Sequence, residues 1–288
     1  MDFGIGLPIT GPEASPERIA DVAQRAERAG LGAVWAYERL LRPAEPYMLG
    51  LNQVVPLPEE SAIVYDPLET LAYLAATTST IRLGTSVIDA LYHPPVVLAK
   101  RLATLDRLSG GRLWIGLGQG WMAQEFEAAG VPISRRGAGF AEHVAAMRAC
   151  WGPDPVSFSG RFYTIPESQV GPKPAGLTLL AGAAAPAAVE RAAALGMGLS
   201  AVVFDWDALG QCVETYRKAG GAGPFVIQVN GVIGDRPLDE RMPLTGSAEQ
   251  VAEDLARARE LGADHVYWQP IGFDADGLVE RIAELAAG

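Results

Sequence analysis

Three short stretches hold the candidate reactive and ligand-binding residues. Gly118-Gln119-Gly120-Trp121 follows an apolar run, Leu113–Leu117. Missing side chains there would let the backbone approach a ligand closely, and the tryptophan could stack on a ring or wall a pocket. Glu38-Arg39 follows the apolar Ala33–Ala36. A glutamate can accept a hydrogen bond or shuttle a proton. A guanidinium stays charged and only donates, so Arg39 suits holding an anionic group or stabilising developing negative charge. Gly182 and Ala183 stand just ahead of Pro186. Backbone N–H groups at that helix start could take a phosphate, with a plain strand-to-helix turn as the equally good alternative. Hydrolytic and metal machinery is missing. His93, His143 and His265 are too scattered for a metal cluster, and His93 reads equally well as a helix cap. No GxSxG, HExxH or Walker A pattern occurs. With neither a nucleophile nor a metal set, a bound organic cofactor is the better carrier of chemistry.

The elements that must position these residues repeat along the chain. Leu98, Leu102 and Leu105 share one face of a helix closed by Gly110-Gly111, and the Leu113–Leu117 run then has the composition of a strand buried on both faces. Phe3, Ile5 and Leu7 alternate as a first strand, Ser15-Pro16 opens a helix, and Ala33–Ala36 is a second strand. The proline-rich stretch Tyr37–Pro67 is too long for an ordinary connection and reads as a functional loop, either an apolar lid or a subunit interface. Helix Pro67–Thr78, strand Ile81–Val87 and a helix from Pro95 follow. Beyond a helical region ending at Trp151, Val156–Ile165 reads as a β-hairpin turning at Ser159-Gly160. Strands at Thr178–Ala181, Leu199–Phe204, Phe225–Val232 and His265–Gln269 alternate with helices. Among these helices, the one to Leu261 opens on a Ser247/Gln250 capping box, and Leu278–Ala287 closes the chain.

Eight strand–helix pairs without a composition break predict an α/β chain forming one (β/α)₈ barrel domain over residues 1–288, with a hairpin insertion at about 152–177. A barrel places its chemistry at the carboxyl ends of the strands. That expectation collects Tyr37, Glu38, Arg39, Ser86 to Leu91, Gly118 to Trp121, Gly182 to Ala184, Asn230 and Gln269. A net charge of -11 argues against nucleic acid as a partner. Two cysteines, Cys150 and Cys212, in no metal or redox spacing suit a reducing compartment. No stretch has the length of a membrane span and the N-terminus lacks signal-peptide character, so a soluble cytoplasmic protein is expected.

Several ordered blocks, read together, resemble a known family. They are IRLGTSV (81–87), HPPVVLAKRLATLDRLSGGRLWIGLGQGW (93–121), the Glu125-Phe126 pair, GVPISRRG (130–137), PVSFSGRFYTIPES and GPKP within 155–174, and GSAEQVAEDLARARELGADHV (246–266). They resemble the luciferase-like monooxygenases, and within them the branch of oxidoreductases that uses the deazaflavin coenzyme F420. The resemblance implies a tricyclic ring at the strand mouths, with a non-proline cis peptide at Ser86–Val87 behind it. Gly118, Gln119 and Gly120 would lie beside the cofactor's side chain, and Gly182 and Ala183 would take its phosphate. It also implies a homodimer and hydride exchange with a small unsaturated, carbonyl or imine substrate. The alternative within the family is an FMN-dependent monooxygenase fed reduced flavin by a separate reductase. Two departures stand out: Glu38-Arg39 replaces an Asp-His pair common in the deazaflavin enzymes, and Trp121 replaces the acid of the sugar-phosphate dehydrogenases. Glu38, Arg39 and Trp121 are thus the expected catalytic groups, and sugar-phosphate oxidation is disfavoured.

Overall fold

Eight parallel strands close into a barrel in a computed structural model that describes residues 1–270 and 277–287. The strands are β1 (Asp2–Gly6), β2 (Ala33–Ala36), β3 (Arg82–Asp89), β4 (Leu113–Gly118), β5 (Thr178–Gly182), β6 (Gly198–Val202), β7 (Phe225–Asn230) and β8 (His265–Gln269). They pair in sequence order around the ring, and β8 closes on β1 through Asp2↔His265 to Ile5↔Trp268. The (β/α)₈ expectation therefore holds.

The helices start where local chemistry favours it. Ser15 accepts from the Arg18 N–H ahead of α1 (Pro16–Arg28), and Asp66 accepts from Leu68 and Glu69 ahead of α2 (Pro67–Thr77). Prolines open α3 (Pro95–Leu108) and α6 (Pro186–Ala194), where a missing N–H costs nothing. Between them lie α4 (Ala123–Ala128) and α5 (Ala138–Trp151). After α7 (Trp206–Lys218), the predicted capping box opens α8 (Ala248–Glu260), and α9 (Leu278–Ala287) ends the described chain. The αL glycines Gly110 and Gly111 turn α3 into β4, as the sequence predicts.

Inside the barrel, Ala33, Trp35, Leu180, Val226 and Tyr267 form a separate apolar plug. Trp35 stacks on Tyr267 at 4.7 Å and donates its indole N–H to His265 Nε2 at 3.0 Å. Burial pushes the His265 imidazole down to about 3, so it is neutral and acts as an acceptor. Gly84 leaves room for the indole, since a Cβ there would lie 2.5 Å from Trp35 Cε3. The plug sits below the mouth and leaves the carboxyl ends of the strands as the place for a ligand.

Three details depart from the sequence reading. The Val156–Ser159 and Thr164–Ser168 strands pair antiparallel, but their turn is wider than Ser159-Gly160, closing with Gly160 N–H on the Tyr163 carbonyl (2.9 Å). The Tyr37–Pro67 loop carries structure of its own: a two-residue antiparallel pairing (Tyr47–Met48 with Gln53–Val54) and a 3₁₀ turn at Glu59–Ala62. β3 runs past Val87 to Asp89, with a shift of register against β4 between Thr85 and Ile88.

Candidate active site

At the carboxyl ends of the strands lies a cavity of about 550 Å³. Its wall includes Glu38, Arg39 and Trp121 together with Ser86, Val87, Gly182 and Ala183. With Tyr37, Asp89, Ala184 and Asn230, eleven residues of the expected strand-end set line this one space. Gly118, Gln119 and Gly120 are not among the residues that line it.

The bulge in β3 organises the site. The Ser86–Val87 bond is cis, as the family resemblance implies. The Val87 carbonyl accepts the Glu38 N–H (3.0 Å), which ties the end of β2 to the bulge. The Val87 side chain fills the space that two glycines leave. A Cβ at Gly182 would lie 2.5 Å from Val87 Cγ1, and one at Gly118 would lie 2.5 Å from Val87 Cγ2 and 2.4 Å from Asp89 Oδ1. At Gly120 a Cβ would meet Phe126 and the Tyr92 hydroxyl at 2.6 Å. At Gly118 and Gly120, expected to leave space for a ligand, the protein's own side chains occupy that space. Gln119 accepts from the Gly137 N–H (2.8 Å) and from Arg191 (3.4 Å). Ala183 donates its N–H to the Ser200 carbonyl over a long 3.4 Å.

One side of the mouth is a carboxyl cluster. Glu38 is buried; its Oε2 accepts the Asp89 N–H (2.8 Å) and its Oε1 lies 2.7 Å from His93 Nε2. The helix-capping role considered for His93 is thereby corrected, and α3 has no side-chain cap. Arg39 donates to Glu125 Oε2 (3.2 Å), and its guanidinium carbon sits 4.7 Å from the centre of the Trp121 ring. Glu125 also accepts the Leu40 N–H (2.9 Å). Burial outweighs these partners and pushes the Glu125 carboxyl up. Asp89 Oδ1 accepts the Gly120 N–H (2.9 Å). Burial, with Glu38 and Glu125 close by, raises Asp89 to about 7.

The opposite side is neutral and polar. Tyr267 donates to Gln228 Oε1 (2.6 Å), as does Ser86 (3.0 Å), whose hydroxyl also lies 3.0 Å from that of Ser200. Gln228 Nε2 donates to Asn230 Oδ1 (2.8 Å). Gln269, expected at the mouth, instead fills space beside Gly6. Over the cavity lie Met48, Leu57, Pro58 and Ser61 from the long loop, facing Val202 and Phe204. The loop is fastened to the other rim by Leu49 N–H on the Trp121 carbonyl (2.8 Å) and by Gln124, which accepts from Tyr47 N–H (3.1 Å) and donates to the Glu45 carbonyl (2.7 Å). Leu51 and Tyr65 of the loop are exposed.

Arg135 stacks over Phe162 and Tyr163, and Lys173 binds Asp154 and the Cys150 carbonyl. Among the described residues lining the cavity, Arg39 is the one cation, and it is paired. Among the described residues, no His, Cys, Asp and Glu group could hold a metal ion, and no helix is long and apolar enough to cross a membrane.

Residues 1–237 match the family model described as luciferase-like monooxygenase, and the chain belongs to that family. An F420-dependent glucose-6-phosphate dehydrogenase from Kineococcus radiotolerans is 31% identical over 174 residues, 59% of this chain and 47% of that protein. The alignments with curated relatives span about two fifths to just over half of those proteins' length. A monooxygenase from Streptomyces bottropensis has the same fold (TM-score 0.78, 22% identity, 100% of this chain and 97% of that one). So does the coenzyme F420 dependent tetrahydromethanopterin reductase from Methanopyrus kandleri (TM-score 0.76, 17% identity, 98% and 97%).

Proposed function

We propose that the protein is an F420-dependent oxidoreductase that exchanges a hydride with a small, neutral, largely apolar substrate. The observation that carries the substrate half is the ion pair between Arg39 and Glu125. It commits the one cation of the described cavity wall, in a mouth that also holds Glu38 and Asp89. An anionic substrate such as a sugar phosphate would meet carboxyls and no free positive charge. Met48, Leu57, Val202 and Phe204 offer it apolar surface instead.

The donor set fits a tricyclic cofactor. The polar ladder of Ser86, Gln228 and Asn230 presents neutral hydroxyl and amide groups suited to a ring edge rich in carbonyls and N–H groups. Val87 supplies an apolar face beside it, and Trp121 an aromatic one across it. Gly182 and Ala183 border the cavity at the start of α6, where a cofactor phosphate would find backbone donors; the 3.4 Å bond from Ala183 is weak enough to yield to it. When bound, a reduced deazaflavin supplies a hydride from its C5 and does not activate oxygen. The chain's own contribution is to orient the substrate against that carbon and to exclude water beneath the loop. The similarity to an F420-dependent relative supports the choice of deazaflavin over FMN.

The test is anaerobic turnover. Protein mixed with reduced F420 and a panel of enones, ketones and imines is expected to return the oxidised coenzyme's absorbance in step with product. Turnover only with reduced FMN and oxygen would replace this reading with the flavin monooxygenase.

A further inference from the structure

We propose that Asp89, in the cavity wall, is a further catalytic residue: it carries a proton on its carboxyl oxygen Oδ2 and gives it to the substrate as the hydride arrives. The inference rests on the hydride-transfer reading above and adds the acid that such a reaction needs. Reduction of a C=O, C=N or conjugated C=C bond forms two new bonds. One is to the hydride delivered by the reduced cofactor, with its electron pair. The other is to a proton, while the π bond breaks. Asp89 is left as a carboxylate and takes a proton back from water at the mouth, and the solvent regains that proton from the N–H which the coenzyme loses on oxidation, so atoms and charge balance.

The geometry singles out Asp89 among the three carboxyls. Glu38 has both oxygens occupied, by the Asp89 N–H and by His93. Glu125 likewise has both occupied, by the Leu40 N–H and by Arg39. Asp89 has one oxygen fixed by the Gly120 N–H, whereas Oδ2 has no hydrogen-bond partner among the described residues. The side chain is only 5% exposed, yet it lines the cavity. Protonated, an oxygen without a protein donor becomes a hydrogen-bond donor to whatever acceptor enters the cavity.

The surroundings favour that form. Glu38 and Arg39 face Asp89 from the end of β2, Tyr92 and His93 from the β3–α3 turn, and Glu125 from α4. Three carboxyls share one guanidinium, and Arg39 is hydrogen-bonded to Glu125 and not to Asp89. Burial and the two neighbouring carboxyls raise Asp89 to about 7, close to the pH at which a general acid works best.

Infrared spectra of the protein with nothing bound test the proton itself. The carbonyl stretch of a protonated buried carboxyl is expected below pH 7, lost with a midpoint near 7, and absent in Asp89→Asn. In Glu38→Gln the midpoint should fall, because a like charge has gone. Single-turnover hydride transfer tests the use of the proton. Asp89→Asn should slow it by about 10²-fold or more while cofactor affinity stays within about threefold. It should also remove the loss of rate above pH 7. No carboxyl band in the wild type, or equal rates in wild type and Asp89→Asn, would overturn the inference. Failure to bind either cofactor would overturn it together with the function above, and the binding titration tells the two failures apart.

Discussion

Val87 stands where a side chain at Gly182 would have to be: a Cβ on Gly182 would lie 2.5 Å from Val87 Cγ1 but 3.6 Å from Val87 Cβ. The bulge of β3 and the end of β5 are therefore fitted to each other, and this fit sets the floor on which a ring would rest. Gly182→Ala should destabilise the protein by about 1–3 kcal/mol and weaken cofactor binding, as overpacking does. Val87→Ala should rescue it, because only the γ-methyl groups collide. Denaturant titration of both single variants and the double variant gives the coupling; additivity would contradict the fit.

The Arg39–Glu125 pair predicts a pH-dependent defect. Arg39→Met leaves Glu125 buried without its cation, which costs about 3–5 kcal/mol when the carboxylate is charged. Burial already raises the Glu125 carboxyl, so the defect should be full at pH 8 and shrink as the pH falls and Glu125 takes a proton. Adding Glu125→Gln should restore part of the loss. Urea unfolding at pH 8 and pH 5.5 measures both effects.

The buried titrating groups pull stability in opposite directions. His265 at about 3 and His143 at about 4 are neutral in the fold but take protons when unfolded, so the stability they protect is lost as pH falls below 6.5. Asp89 at about 7 does the reverse: the folded state binds the extra proton, so stability rises as pH falls from 7 towards 3.8. Between pH 6.5 and 5 each group contributes roughly 2 kcal/mol. In Asp89→Asn the loss of stability over that window should thus be steeper than in the wild type by about 2 kcal/mol. Denaturant titrations of the two proteins at both pH values give the difference directly; parallel curves would contradict the raised Asp89.

Gln124 holds the loop over the mouth through Tyr47 N–H and the Glu45 carbonyl. Gln124→Ala should leave the melting temperature nearly unchanged, because its contacts lie outside the barrel. It should speed limited proteolysis within residues 44–55 several-fold and raise KM more than it lowers kcat.

The barrel was legible in the sequence because strand runs alternate with helices, some opened by clear start signals such as Ser15-Pro16 and Ser247 with Gln250. Glu38, Arg39 and Trp121 were legible from their place after strand runs, since topology alone sends such residues to the mouth. Gln228 was open to the same logic. It lies two residues before Asn230, and alternation along a strand turns both to one face. The partnership of Glu38 with His93 was not legible, because pairing of β2 with β3 brings together residues 55 apart. Nor could the sequence tell glycines that make room for a ligand from glycines that make room for Val87. That distinction depends on the register shift in β3, which no local pattern marks.

Parallel equilibrium titrations of the purified protein with F420 and with FMN decide between the two coenzymes. F420 is expected to bind at least about tenfold more tightly, a difference of ~1.4 kcal/mol, and Trp121→Ala to weaken that binding. Equal or tighter binding of FMN would contradict the deazaflavin assignment and favour the monooxygenase, and binding of neither would contradict both.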